Sequence, residues 1–192
     1  MKNIGTIELE TNRLLFRKAS TSDSKDMFNN WASDKEVTKY LSWDAYEKEE
    51  NAVSYLKYLE EEYIKDNFYN WIVVSKEDNT PIGTIGAVDI DIKNNTVEIG
   101  YCYGRKWWGK GLATESLKRV IKFFFEEAEV ETIYADHIDA NPASGKVMEK
   151  AGMKYEGIMR KRALNKVTKK KADLIYYSIT KEDYFKGDNY EN

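Results

Sequence analysis

Apolar residues fall at Leu117, Val120, Ile121, Phe124, Phe125 and Ala128, and this recurrence at three and four residues predicts one stripe of a helix about four turns long. Immediately upstream the rhythm changes. Thr96-Val97-Glu98-Ile99-Gly100-Tyr101-Cys102-Tyr103 is short and rich in β-branched and aromatic residues, which predicts a strand. Between the two lies Trp108-Gly109-Lys110-Gly111-Leu112-Ala113-Thr114-Glu115. A helix start leaves its first N–H groups unpaired and carries partial positive charge. Glycines that let a ligand approach the backbone there make a cradle for an anion.

The same patterning divides the rest of the chain. Leu14 to Lys18 predicts a strand, and Ser20 to Asp23 supplies capping residues for a helix through Met27, Phe28 and Trp31. Ala52, Leu56, Leu59 and Tyr63 form the stripe of a second helix from Lys48 to Ile64, whose glutamates lie mostly elsewhere on its surface. Trp71 to Val74 and Ile82 to Ile92 predict paired strands around the turn Lys76 to Pro81, and Asn94-Asn95 turns into the strand described above. After the long helix come a strand at Ile133 to Ile138, a short helix from about Ser144 to Ala151, and closing strands near Tyr155 to Arg160 and Leu174 to Ile179.

Composition narrows the function classes. A chain of 192 residues suits one α/β domain, with only two prolines and no low-complexity tract to mark a linker. Its 33 acidic against 30 basic residues give a net charge of -3, so nothing draws it generally to nucleic acid. Apolar runs are too short for a membrane segment, and the N-terminal residues lack the basic-then-apolar order of a signal peptide, so a cytoplasmic location is expected. The one cysteine, Cys102, cannot form an internal disulfide, which agrees with a reducing compartment.

Two kinds of anion cradle fit the glycine junction. Gly104 to Lys110 reproduces the first seven positions of a nucleotide-binding P-loop, but the eighth is Gly111, where a Mg²⁺-ligating hydroxyl is required; Thr114 comes too late. Two tryptophans inside the loop also oppose tight wrapping of a triphosphate. The alternative is a shorter loop closing on a diphosphate. Here the chain resembles the GNAT N-acetyltransferase superfamily, whose signature Gln/Arg-x-x-Gly-x-Gly/Ala falls on Trp108, Gly111 and Ala113. Trp108 departs from the usual residue, which alters a side-chain contact while leaving the backbone amides. Thr11-Asn12-Arg13-Leu14-Leu15-Phe16-Arg17 resembles the opening strand of the RimJ/RimL-like branch, which includes enzymes that acetylate ribosomal-protein N-termini. Asn141-Pro142-Ala143-Ser144 with Gly152-Met153 resembles two later motifs of that branch.

The resemblance implies one α/β domain over residues 7 to 185, a mixed, mostly antiparallel twisted sheet flanked by helices, with a splayed strand pair holding acetyl-CoA. It implies that pantetheine pairs with the backbone near Tyr101, Cys102 and Tyr103, as an added strand would. The diphosphate then rests on Gly109, Lys110, Gly111, Leu112, Ala113 and Thr114 beside Trp108, and Asn141 holds the pantetheine amide or caps a helix.

Acetyl transfer from a thioester to an amine needs a proton acceptor, a polarised carbonyl and a stabilised leaving thiolate. Glu98 is the candidate base, against a merely exposed or cross-strand-paired glutamate. The tyrosine that many superfamily members place seven residues after the asparagine is Met148 here, so Ser144 becomes the candidate donor to the sulfur, with helix capping as its plain alternative. Cys102 admits a covalent acetyl-enzyme if a neighbour activates it; a small core residue is the simpler reading. His137 with Asp136 and Asp139 does not converge on a metal from an extended strand, and no metal is expected.

Lys166, Lys169, Lys170 and Lys171 read as a solvated hairpin loop ahead of a phosphate or acidic-protein contact. Trp31, Tyr40 and Trp43 are core residues or walls of an amine pocket. The implied reaction is direct transfer in a ternary complex. The acceptor is a protein N-terminus by analogy, a polyamine or amino sugar as runner-up, and a non-catalytic acetyl-CoA-binding module is the alternative of another class. A homodimer is a common arrangement in such families.

Overall fold

The computed structural model describes residues 1–186. One eight-stranded sheet runs in spatial order β1-β2-β3-β4-β5-β6-β8-β7. Its first half is an antiparallel series: β1 (Leu9–Glu10), β2 (Leu14–Arg17), β3 (Asn70–Ser75), β4 (Thr80–Asp91) and β5 (Thr96–Tyr103). β6 (Thr132–Ile138) lies parallel to β5, and the hairpin β7 (Lys154–Asn165) and β8 (Lys170–Thr180) completes the far edge.

Both faces of this sheet are covered. β3 shows why: Trp71 and Val73, with Tyr69 just before the strand, enter one core and Ile72 and Val74 the other, giving the continuous apolar run of a strand buried on two sides. On one face lies α4 (Leu112–Glu126), with Leu117, Val120, Ile121, Phe124 and Phe125 fully buried as the stripe predicts. α5 (Pro142–Lys150) lies on that face too, its Gly145 against the His137 ring of β6. The other face carries α1 (Ser24–Met27), α2 (Lys35–Thr38) and α3 (Glu49–Glu62), which bury Met27, Val37, Ala52, Leu56 and Leu59 in the second core. A short α6 (Lys181–Lys186) ends the described residues.

Several boundaries differ from the sequence reading. The first helix widens into a π-helical turn over Phe28–Ala32, and Trp31 inside it is wholly buried, so this tryptophan is core and not a pocket wall. α5 begins at Pro142, which makes Ser144 a first-turn residue and Asn141 the N-cap; a proline at the first helical position is preorganised for that start. The closing hairpin is longer than predicted because its outer part, Arg160 to Lys171, is mostly basic and largely exposed, and its few apolar residues, Ala163, Leu164 and Val167, show no alternation to read. Its tip is not simply solvated: the Lys166 ammonium donates to the Trp43 carbonyl at 2.6 Å and pairs with Asp44 at 3.0 Å. Lys169, Lys170 and Lys171 remain exposed.

One irregularity shapes the site. Between Ala87 and Asp89 the β4–β5 register shifts, so that Val88 bulges out and Asp89, in place of Val88, faces Glu98. Gly100 leaves room for the bulged side chain: a Cβ there would lie 2.5 Å from Val88 as it stands.

Candidate active site

The residues of the glycine junction form a tight entry to α4. A single 3₁₀ turn, Arg105–Trp107, leads to Trp108, then to Gly109 at φ +73° and Gly111 at φ +77°. Both glycines are left-handed, a conformation that L side chains rarely adopt. A Cβ on Gly109 would meet nothing within 4 Å and one on Gly111 only Arg13 at 3.8 Å. Backbone conformation, and not crowding by the protein, therefore fixes glycine here, and the space above the loop is open to a ligand. Gly111 is the N-cap of α4 and no side chain caps that end, which leaves the amides of Leu112, Ala113 and Thr114 in the orientation that binds anions at a helix start.

The tryptophan pair divides its work. Trp107 is buried, while Trp108 is 48% exposed and its indole N–H donates to the Tyr103 carbonyl at 2.7 Å. That carbonyl is thereby occupied by the protein's own donor at the end of β5.

Beside the loop the sheet opens. β5 and β6 are paired only from Thr96–Thr132 to Glu98–Tyr134. Beyond Glu98, β6 continues against β8 alone, so Ile99 to Tyr103 carry a backbone edge with no strand on that side. An extended amide-bearing ligand fits such an edge by strand addition.

Side chains converge on this opening from both faces. On the α5 face, the Tyr101 hydroxyl lies 2.9 Å from the Ser144 hydroxyl and donates toward the Ser144 carbonyl at 3.1 Å. Asn141 has no side-chain capping bond, so its amide is available to a ligand. Met148 is core. On the opposite face, Glu98 is half-buried beside Asp136 and Asp89. Burial pushes its carboxyl above the ordinary range, the charges of Asp136 and then Asp89 push the same way, and a hydrogen bond from Tyr134 opposes them. Asp136 is likewise raised by burial, against a hydrogen bond from Tyr176. None of the three carboxylates forms an ion pair with a described lysine or arginine.

The structure also speaks against the covalent alternative. Cys102 packs in the second core with Met27, Trp31 and Ile72, and burial pushes its thiol up to about 12, the wrong direction for a nucleophile. His137 gives it no activation, since its ring faces α5 and its Nδ1 lies 2.9 Å from the Ile138 carbonyl. No cluster of metal-ligating residues occurs among the described residues.

The sequence names Glu98, Ser144 and the loop as candidates but gives no sign of Asp89, Tyr134 and Tyr176 around Glu98, or of Tyr101 as the partner of Ser144. Asp89 was hidden by the Val88 bulge, which reverses the alternation on β4. The Tyr101–Ser144 contact joins residues 43 positions apart, for which a single sequence carries no signal.

An uncapped helix start with two left-handed glycines, set beside a split between parallel strands, is the arrangement expected for a CoA thioester. Residues 13–154 match the acetyltransferase (GNAT) domain family. The chain belongs to the GNAT acetyltransferases. Its similarity to the "uncharacterized N-acetyltransferase p20" of Bacillus licheniformis is 30% identity over 176 residues, covering 92% of this chain and 97% of that relative. The acetyltransferase (GNAT family) from Bacillus anthracis superposes with a TM-score of 0.79 at 27% identity, covering 92% of this chain and 99% of its own. The ribosomal-protein-S5-alanine acetyltransferase from Vibrio fischeri gives a TM-score of 0.79 at 20% identity over 97% of this chain and all (100%) of its own, a likeness of fold. This GNAT chain is thus an acetyl-CoA-dependent N-acetyltransferase, and no helix among the described residues is long and apolar enough to cross a membrane.

Proposed function

We propose that this enzyme acetylates a primary amine by direct attack in a ternary complex, with a protein N-terminus as acceptor. The observation that carries the reading is the order of the site: the β5 edge opens just beyond Glu98, and the chain then passes through one short turn and the glycine loop into the uncapped start of α4. In the proposed step the neutral amine nitrogen attacks the thioester carbonyl carbon, the C–S bond breaks and its electron pair leaves on sulfur. The amine proton passes to Glu98, directly or through water, and Ser144 donates a hydrogen bond to the departing thiolate. The raised carboxyl of Glu98 suits a base better than an ordinary glutamate does. Acetyl-CoA is held by Trp108, Gly109, Lys110, Gly111, Leu112, Ala113 and Thr114 at the diphosphate, and by Tyr101, Cys102 and Tyr103 backbone with Asn141 along pantetheine.

A second reading of the acceptor draws on the carboxylates. Glu98, Asp136 and Asp89, none of them in an ion pair with a described lysine or arginine, favour an amine that arrives as an ammonium ion, such as a polyamine. An acceptor screen that follows CoA release over N-terminal peptides, polyamines and aminoglycosides separates the two. Peptide turnover above small-amine turnover supports the first, and the reverse order supports the second. Acetyl-CoA affinity with no turnover across the panel contradicts both and favours a binding module.

A further inference from the structure

We infer that Arg13 is a positioning residue for the diphosphate loop, holding the Glu115 carboxylate and the Lys110 carbonyl away from the anion; this rests on the loop reading above. Arg13 stands in the bend between β1 and β2, far from α4 in sequence, yet its side chain lies at the loop. Its Nε donates to Glu115 Oε2 at 2.7 Å, its Nη2 lies 2.5 Å from the same oxygen, and its Nη1 donates to the Lys110 carbonyl at 3.1 Å. Thr11 completes the grip. Its hydroxyl donates to Glu115 Oε1 at 2.5 Å and accepts from the Leu14 N–H at 3.0 Å.

The physical need is plain from the charges. Glu115 sits in the first turn of α4, one residue past the amides that would take the diphosphate. A carboxylate there stabilises a free helix, but it repels a bound anion at the same place. The Lys110 carbonyl, between the two left-handed glycines, would likewise oppose an anion if it turned inward. One planar guanidinium satisfies both groups, which a lysine ammonium on a flexible stem cannot do with the same geometry. The bend that carries Arg13 is itself fixed, since the Lys76 N–H donates to the Arg13 carbonyl at 2.9 Å and the Lys76 ammonium to the Thr11 carbonyl at 2.7 Å.

The test is a double-mutant cycle read by calorimetry with acetyl-CoA and with S-acetylpantetheine, which lacks the diphosphate. Arg13→Gln should weaken acetyl-CoA about tenfold, the effect of one unpaired like charge a few ångströms from the diphosphate. It should change S-acetylpantetheine less than about twofold. Glu115→Gln should be nearly neutral, and the double variant should recover most of the lost affinity because the repelling carboxylate is gone. Arg13→Lys should recover only part. Unchanged acetyl-CoA affinity in Arg13→Gln, equal losses for both ligands, or a double variant no better than Arg13→Gln would each overturn the assignment. Gly111→Val separates the layers: if it too binds acetyl-CoA normally, the loop reading itself has failed.

Discussion

The hydroxyl of Tyr101 lies 2.9 Å from that of Ser144, across the gap between β5 and the first turn of α5. Direction of donation decides what Ser144 can do. A tyrosine proton given to the Ser144 hydroxyl oxygen leaves the serine proton free for sulfur; one given to the Ser144 carbonyl lets the serine donate back to the phenol. Burial raises the Tyr101 phenol, so tyrosine remains a neutral donor throughout. Ser144→Ala is expected to lower kcat about tenfold or more with little change in acetyl-CoA affinity, and Tyr101→Phe to have a smaller effect in the same direction. Steady-state CoA release alongside thermal melts checks this. A lower melting temperature at unchanged kcat would reduce the contact to packing.

Glu98 connects pH, rate and stability. Its carboxyl is raised by burial first and then by Asp136 and Asp89, so the acid limb of kcat/KM should lie above the ordinary carboxylate range. Glu98→Gln should remove that limb and lower turnover about 100-fold or more. Stability should move the other way. A group with a raised folded-state pKa contributes fully below its unfolded value and loses that contribution as pH rises through the folded value. At neutral pH the charged Glu98 therefore costs stability, and Glu98→Gln should melt higher by about 2 °C, with no difference below about pH 4. A variant that melts lower at neutral pH, or keeps the acid limb, would remove Glu98 from both roles.

Much of this was legible because local patterns agreed with the fold. The α4 stripe was fully expressed in its buried positions, and the loop glycines took the conformations that their type allows. The outer hairpin was not legible, since a largely exposed ribbon has no buried face to impose alternation. Around the site the losses were of one kind. Asp89 reaches Glu98 only through a bulge, and Arg13 reaches Glu115 only after the chain has returned past α4. Motifs marked both ends of that second contact without showing that they touch.

Cys102 offers a clean exclusion. Its thiol is buried and raised to about 12, so Cys102→Ala should retain turnover within about twofold while costing about 1 kcal/mol of stability. Intact-mass measurement after mixing with acetyl-CoA should show no acetylated enzyme. A stable added acetyl group that disappears in Cys102→Ala would restore the covalent route.

In the proposed complex the left-handed turn at Gly111 presents the first amides of α4 to the diphosphate of acetyl-CoA. Calorimetric titration of acetyl-CoA into wild-type protein and Gly111→Val measures it most directly, because valine at φ +77° is strained whatever the space around it. Saturable binding to the wild type is expected, and none detectable to a variant that still melts cooperatively. Equal affinity in the two proteins would contradict it.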